Sequence, residues 1–285
     1  MQAITKTVMI DDGYPGVTLG VIVRSRGLIQ IDAPPSPEDG RAWRATLMNL
    51  NNGPDRVLIN MDAHPDRTLG VRAMDCTVIA HEKTAQIFRS RPTTFKAQGD
   101  ETGAEWERIS GMGSVRWAPP EISFAQDLTL NWGEGPVLLE HHAGPSAGAI
   151  WVILPEEKVV FVGDTVLKGQ VPFLAGADLP SWTESINVLL KPSFKGYTIV
   201  CGRGGTVNAQ ALRNQLEFLK YARERLEKMA ARHARPETTE KLITSFLTYF
   251  RVPAARQKHY TQRLRHGLLQ YYIRHYHPSR SWHED

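Results

Sequence analysis

The chain has 285 residues, 41% of them hydrophobic, and a formal net charge of +4. This length suits one large layered domain with an appendage or two small domains. No apolar run reaches membrane-spanning length, and the first residues lack the pattern of a secretory signal, so we expect a cytoplasmic protein without membrane contact. Cys76 and Cys201 suggest neither a metal-binding pair nor a disulfide framework, so reduced thiols are expected.

In chain order, residues 11–34 predict two strands around Gly27, and a helix is predicted near residues 37–50. Residues 56–88 repeat strand and helix twice. Residues 89–113 are polar and lack periodicity, which indicates a loop or partly helical lid over the site. Five strands of antiparallel style follow, at residues 115–117, 128–132, 137–141, 149–154 and 159–162. The predicted fold class is α/β (α+β), an αββα-like sandwich.

A cluster of polar side chains follows the apolar strand at residues 56–60. It reads Asp62-Ala-His64-Pro-Asp66-Arg67, and Pro65-Asp66 supplies a first turn for a helix to Met74. Because layered α/β folds place their chemistry at the carboxyl ends of strands, we expect the functional site here.

This turn resembles the His-x-His-x-Asp-His turn of the metallo-β-lactamase superfamily. Three other stretches also resemble that family: an opening hairpin, a glycine turn with its hairpin and Gly-Asp, and a closing strand with its turn. They read GVTLGVIVRSRGLIQIDAPPSPEDGRAW, HHAGPSAGAIWVILPEEKVVFVGDTV and TIVCGRGG. The resemblance spans residues 1–206 and implies a metallo-β-lactamase-like sandwich domain, with residues 207–285 as a basic helical C-terminal region.

The resemblance also assigns the family's metal-ligand positions. Those of one metal fall on Asp62, His64 and Pro145, those of the other on Asp66, Arg67 and Arg203, and the bridging aspartate on Asp164. Proline and arginine side chains offer no lone pair to a metal. Two guanidinium groups are therefore expected to replace the second ion. Asp62, His64 and Asp164 retain the capacity to bind one Zn, Mn or Fe ion.

Further candidates are weaker. A shifted loop would allow His142 to return as a ligand, although a strand that sends His141 and His142 to opposite faces is the better interpretation. Cys201 precedes Arg203 closely enough for thiolate chemistry, but a buried structural cysteine is favoured. The resemblance places a pocket-bordering loop after Asp164, which makes Lys168 and Phe173 candidate substrate contacts.

Residues 208–285 predict three amphipathic helices and carry fifteen Lys and Arg against seven Asp and Glu. Their net charge of +8 leaves −4 for the remainder. Arg263, Arg265 and Arg274 alternate with tyrosines, which is compatible with a nucleic-acid surface. Such charges more often form the solvated side of packed helices, so nucleic-acid binding is disfavoured and a homodimer through these helices is preferred.

Two functions fit these observations. The first is a binding or assembly module with weak or no hydrolase activity, with the degraded metal site binding at most one divalent metal or none. The second is an active one-metal hydrolase of an ester, thioester or lactone, with Asp66 as general base and Arg67 or Arg203 as oxyanion or anion contacts. The partner in either case is a small molecule, and the arginines favour an anionic one.

Overall fold

The computed structural model describes residues 1–50, 53–97 and 102–277. The first large sheet has seven strands in the order β1-β2-β3-β4-β5-β6-β9. Pairing is antiparallel from β1 to β4 and parallel from β4 onward. The strands are β1 (Gln2–Ala3), β2 (Val8–Asp11), β3 (Leu19–Arg24), β4 (Gly27–Ile31), β5 (Asp55–Ile59), β6 (Thr77–His81) and β9 (Ile122–Phe124).

The second large sheet contains six strands in sequential order. They are β10 (Asp127–Asn131), β11 (Pro136–His141), β12 (Ile150–Leu154), β13 (Val159–Phe161), β14 (Thr198–Val200) and β15 (Thr206–Val207). Only the β13–β14 pair is parallel, as expected for strands joined by a crossover helix. A separate two-stranded ribbon joins β7 (Thr94–Lys96) to β8 (Ser114–Arg116).

Eight α-helices lie within the described residues: α1 (Pro37–Met48), α2 (Pro65–Thr68), α3 (Val71–Met74), α4 (Glu82–Ser90), α5 (Leu179–Leu189), α6 (Ala209–Ala231), α7 (Ile243–Tyr249) and α8 (Ala254–Tyr276). Short 3₁₀ segments occur at Glu105–Arg108, Gly163–Thr165, Pro192–Phe194 and Pro236–Leu242. None of the helices in this part of the chain combines the length and apolarity needed to cross a membrane.

The core has three layers of apolar side chains. Between the sheets, alternate residues such as Ile29 and Ile59 pack on Leu139 and Val152. Outside the first sheet, Trp43 of α1 and Met74 of α3 cover its other face. Helices α5 to α8 cover the second sheet in the same way. The layer order is therefore αββα, which confirms the predicted fold class.

The C-terminal helices share a core with the sandwich. Leu264, Leu268 and Tyr272 of α8 belong to one buried cluster with Trp151 and Val160 of the second sheet. The predicted apolar stripe is thus buried within the chain itself. The boundary at residues 206/207 and the homodimer remain predictions, and a dimer would have to use surfaces other than this stripe.

One local expectation requires correction, and a second can be made more specific. The single helix expected from Pro65 to Met74 is broken at Gly70, where the chain passes so close to α1 that an added Cβ would stand 2.3 Å from the Pro34 carbonyl oxygen. Residues 89–113, predicted to be a loop or a partly helical lid, contain the 3₁₀ segment at Glu105–Arg108 and also β7. Part of that stretch, residues 98–101, lies outside the described residues.

Candidate functional site

The site forms where parallel strands of both sheets end. Asp32 follows β4, Asp62 follows β5, Asp164 follows β13 and Arg203 follows β14. Because the two sheets face one another, these four strand ends bring their loops together at one edge of the sandwich. Gly202 permits the closest approach: a Cβ there would lie 2.6 Å from an Asp164 carboxylate oxygen.

Arg67, the last-turn residue of α2, is completely buried and faces three carboxylates. Its Nη1 donates to Asp32 Oδ2 at 3.2 Å, and its Nη2 donates to Asp164 Oδ1. Its Nε lies 3.3 Å from Asp62 Oδ1. One guanidinium thus links the ends of β4, β5 and β13, and its planar fork of donors suits this better than a point charge would.

Arg203 forms the second centre of the cluster. Its Nε lies 3.1 Å from both carboxylate oxygens of Asp164, and its Nη1 donates to Asp66 Oδ2 at 2.6 Å. Its guanidinium carbon is 4.7 Å from the centre of the Phe173 ring, within cation–π range. Asp164 therefore bridges two guanidinium groups.

Asp66 is inaccessible to solvent and fully engaged. Besides Arg203, it accepts backbone N–H bonds from Trp106 at 2.7 Å and from Glu105 at 3.3 Å. It does not border the large cavity described below. A general base must reach the proton that it removes. Asp66 was predicted to act as a general base, but its carboxylate cannot directly contact a molecule bound in that cavity.

His64 is held in one tautomer by its neighbours. Its Nδ1 faces two donors, the Asp66 backbone N–H at 3.2 Å and Arg203 Nη2 at 3.1 Å. Nδ1 must therefore carry the lone pair, and Nε2 carries the proton of the neutral ring. Burial, with help from Arg203, lowers the pKa of His64 to about 3, which keeps the ring neutral at physiological pH.

The remaining acids divide by environment. Burial raises the pKa of Asp32 to about 7, against the opposing charge of Arg67. Burial likewise raises the pKa of Asp62. For Asp164 burial acts in the same direction, but the guanidiniums of Arg203 and Arg67 outweigh it and hold its pKa below the usual range. Asp164 is consequently the firmly ionised member of the cluster.

These residues do not fit a metal centre as arranged. The carboxylates of Asp66 and Asp164 are already bonded to guanidinium groups, and a cation beside them would meet two buried positive charges. His64 has no lone pair at Nε2 in the tautomer that its neighbours impose. Across residues 1–50, 53–97 and 102–277, no cluster of three or more His, Cys, Asp or Glu side chains is placed to hold a metal ion.

A cavity of about 820 Å³ opens beside the cluster. Its wall is mostly apolar and aromatic, and includes Phe95, Trp106, Trp117, Phe173 and Trp182. Asp62, His64 and Asp164, the three predicted metal ligands, border it on one side. This combination of a large apolar volume with a few polar groups is typical of small-molecule sites.

The structure separates the other predicted site residues. Phe173 lines the cavity, with its ring centre 4.4 Å from that of His64 and the two rings tilted by 56°, whereas Lys168 is exposed and lies outside the cavity lining. Arg67 does not reach the cavity, and Arg203 instead borders a second, more polar cavity of about 500 Å³. Pro145, which the sequence resemblance places at a metal-ligand position of the family, lines the large cavity.

Sequence reasoning missed a second ionic cluster above the site. Glu105, 4% exposed, accepts from Arg256 Nη1 at 2.8 Å and from Arg263 Nη2 at 3.1 Å, and lies 3.2 Å from His259 Nε2. Arg263 also donates to the carbonyls of Gly103 and Val171, and its guanidinium carbon lies 4.0 Å from the Phe173 ring centre. Arg263, which was expected on a solvated face, is thus completely buried.

The remaining candidates, His141, His142 and Cys201, have structural contacts that account for them. His141 stacks on His81 with ring centres 3.8 Å apart, and His142 stacks on Trp151 at 3.5 Å. Neither residue lines the large cavity, so His142 does not return as a ligand in this arrangement. Burial raises the pKa of the Cys201 thiol to about 11, which disfavours a nucleophilic thiolate.

Fold and site together define a protein of the αββα class, with its functional edge at the strand ends that carry the aspartates and arginines. Residues 63–204 match the model of the metallo-beta-lactamase superfamily. The chain belongs to this superfamily. Its members usually bind divalent metals such as zinc. A search of curated proteins found no match.

Solved structures support the same assignment of fold. A metallo-beta-lactamase from Pontibacter korlensis aligns with a TM-score of 0.61 at 21% identity, over 77% of this chain and 97% of that one. The DIM-1 metallo-beta-lactamase gives 0.60 at 14% identity, over 78% and 96%. FIM-1 from Pseudomonas aeruginosa, in a mono-zinc form, gives 0.59 at 16% identity, over 78% and 94%.

Proposed function

We propose that this protein is a metal-independent member of the superfamily that binds a small organic molecule in the large cavity, with weak or no hydrolase activity. The fold is hydrolase-like. The observation that supports the loss of metal is the engagement of Asp66 and Asp164 by Arg203 and Arg67. The guanidinium groups hold the strand ends together, which is the structural part of the role that a metal ion would have.

The network itself argues against simple refilling by a metal. To bind an ion at Asp164, the protein would have to break buried bonds to two arginines and leave both guanidiniums unpaired. Breaking a buried ion pair costs about 3–5 kcal/mol, and a further positive charge nearby would add to this cost. A zinc or manganese ion would also find no free lone pair on His64, because Nδ1 accepts two hydrogen bonds and Nε2 carries the proton.

Elemental analysis of the purified protein, before and after incubation with zinc, manganese and iron, tests this proposal. We expect less than stoichiometric metal under every condition, and no hydrolysis of esters, thioesters or lactones above that of a matched Asp62→Ala, His64→Ala variant. About one equivalent of metal that disappears in that variant would instead establish the one-metal hydrolase.

The triple change Arg67→His, Arg203→His and Pro145→His tests the assignment of positions. If these residues occupy the family's ligand positions, the variant should bind two zinc ions, which titration calorimetry detects. An intact fold without zinc binding would show that the positions are wrongly assigned. Arg67→Lys with Arg203→Lys is the matched control, since it alters both sites without adding a ligand.

Location and assembly complete the proposal. We place the protein in the cytoplasm, with a homodimer formed on surfaces outside the buried helix stripe. Arg263 cannot contribute to nucleic-acid binding, because it is buried against Glu105 and a phosphate backbone cannot reach it.

A further inference from the structure

The cavity presents a hydrogen-bond donor whose direction is set by the protein. Because His64 Nδ1 accepts from Asp66 and Arg203, its proton lies on Nε2. The ring borders the cavity and its side chain is 19% exposed, while Nε2 has no bonding partner among the described residues. An occupant that offers an oxygen acceptor would satisfy this N–H.

The cavity wall contains a positively charged guanidinium group, that of Arg91, to which no carboxylate in the described part of the chain is hydrogen-bonded. Arg91 lines the cavity, lies 4.6 Å from the Trp117 ring centre, and donates Nη2 to the carbonyl of Ala63. Within residues 1–50, 53–97 and 102–277 its buried Nη1 has no acceptor, and the carboxylate that acts on its charge, Asp62, is itself paired with Arg67. A half-buried cation with an unpaired buried N–H group favours an anion nearby.

The acids at the cavity do not cancel this preference. Asp164 is bonded to Arg67 and Arg203, and Asp62 is held by Arg67 and by the backbone N–H of His64. Lys96, on the rim, adds a further positive charge. The apolar wall formed by Phe95, Trp106 and Trp117 would contact the uncharged part of a bound ligand.

We infer that the cavity binds an organic monoanion with an aromatic or branched apolar body, such as an aromatic carboxylic acid. Its anionic oxygen accepts from His64 Nε2–H, and its charge is stabilised by Arg91 through a small shift of that side chain. This inference rests on the proposed binding function and specifies its ligand class.

A pair of fluorescent probes of similar shape tests the inference. Anilinonaphthalene sulfonate is an anion, and N-phenylnaphthylamine is its neutral counterpart. We expect both to bind the full-length protein, the anion more tightly. Arg91→Met should weaken the anionic probe about tenfold and leave the neutral probe unchanged, whereas Arg91→Lys should retain most of the anion affinity.

Two further variants locate the interaction. His64→Asn keeps a side-chain acceptor for the Asp66 N–H and should weaken the anionic probe about fivefold. Gly176→Phe should exclude both probes, because Gly176 lines the cavity and its added side chain meets open space.

The outcomes separate the inference from the proposed function. If Arg91→Met changes the affinity of both probes equally, or changes neither affinity, the inferred preference for anions is wrong. The proposed binding function would then remain intact. Failure of both probes to bind, or binding that Gly176→Phe does not reduce, would overturn the binding function and the inference with it. Circular dichroism and thermal unfolding of each variant confirm that the fold is retained.

Discussion

The two ionic clusters of this protein are unbalanced in opposite directions. The inner cluster places Arg67 and Arg203 among four carboxylates, those of Asp32, Asp62, Asp66 and Asp164. The outer cluster places one carboxylate, Glu105, among Arg256, Arg263 and His259. The backbone N–H groups of Glu105 and Trp106 connect them by donating to Asp66.

The two clusters carry opposite imbalances of acid and base, and they are joined through the backbone at Glu105 and Trp106. The inner cluster has an excess of acid, and burial raises the pKa of Asp32, one of its carboxyl groups, to about 7. The outer cluster, contributed largely by α8, has an excess of base. The inner cluster is thus connected, through Glu105, to α8, a helix that lies outside residues 1–206 of the resemblance.

The largest effect is expected from Arg67→Met. This change leaves Asp32, Asp62 and Asp164 without their shared guanidinium in a site closed to solvent. We expect a loss of about 3–5 kcal/mol in the free energy of unfolding, measured by urea denaturation. Adding Asp32→Asn to this variant should recover part of the loss, because one uncompensated acid is then removed. An effect below about 1 kcal/mol would show that the carboxylates are protonated or hydrated in the folded state.

Glu105→Gln should destabilise the protein less, by about 2 kcal/mol. Arg263 keeps its carbonyl acceptors at Gly103 and Val171, and Arg256 is 34% exposed and can turn to solvent. The same urea measurement gives the magnitude, and hydrogen exchange should show faster exchange in α8. Exchange that accelerates equally throughout the chain would contradict a local role for this cluster.

The outer cluster also predicts a pH dependence. Burial opposes ionisation of Glu105, but hydrogen bonds from His259 and Arg256 and the charge of Arg263 hold its pKa well below the usual range. Its contribution is therefore complete above the unfolded pKa of about 4.3 and is lost as the pH falls below that value. The stability difference between wild type and Glu105→Gln should narrow below about pH 4. A difference that grows with acid would reverse the assigned sign.

The smallest effect is expected from Lys168→Ala. Lys168 is exposed and outside the cavity lining, so its loss should change neither stability by more than about 0.5 kcal/mol nor the affinity of the anionic probe by more than about twofold. A large loss of probe affinity would restore Lys168 as the substrate contact that the resemblance suggested, and would place the anion on the other side of Phe173.

Much of the fold was predictable because its signals are local. Branched apolar runs mark β4, β5 and β12, and His81 ends β6 while its Nδ1 accepts the Lys83 N–H as a helix cap. The break of the α2–α3 helix was not predictable, because it arises from a contact between Gly70 and Pro34 that no local pattern reveals. Likewise β9 depends on pairing with β6 more than on its own sequence.

Part of the inner cluster was predictable from the sequence resemblance to the metallo-β-lactamase superfamily. The function of the cluster was not predictable in the same way. Substitution of ligand positions by arginine indicated a guanidinium–carboxylate network, and Arg67 and Arg203 do contact Asp66 and Asp164. Asp32 lies in residues 11–34, for which the sequence predicts only two strands, although its carboxylate belongs to the cluster and its backbone adopts φ 58. The roles of Arg91, Glu105 and Arg263 depend on long-range packing, and their spacing in the sequence carries no signal of it.

The burial of Arg263 has a consequence for the order of assembly during synthesis. The sandwich strands leave the ribosome first, whereas α8, which supplies Arg256, His259 and Arg263 to Glu105, emerges long after the cluster residues that it covers. A nascent chain can thus form both sheets while the lid segment at Glu105–Arg108 still lacks its anchors. The Glu105 cluster is therefore completed late in synthesis, after the strands of both sheets have been made.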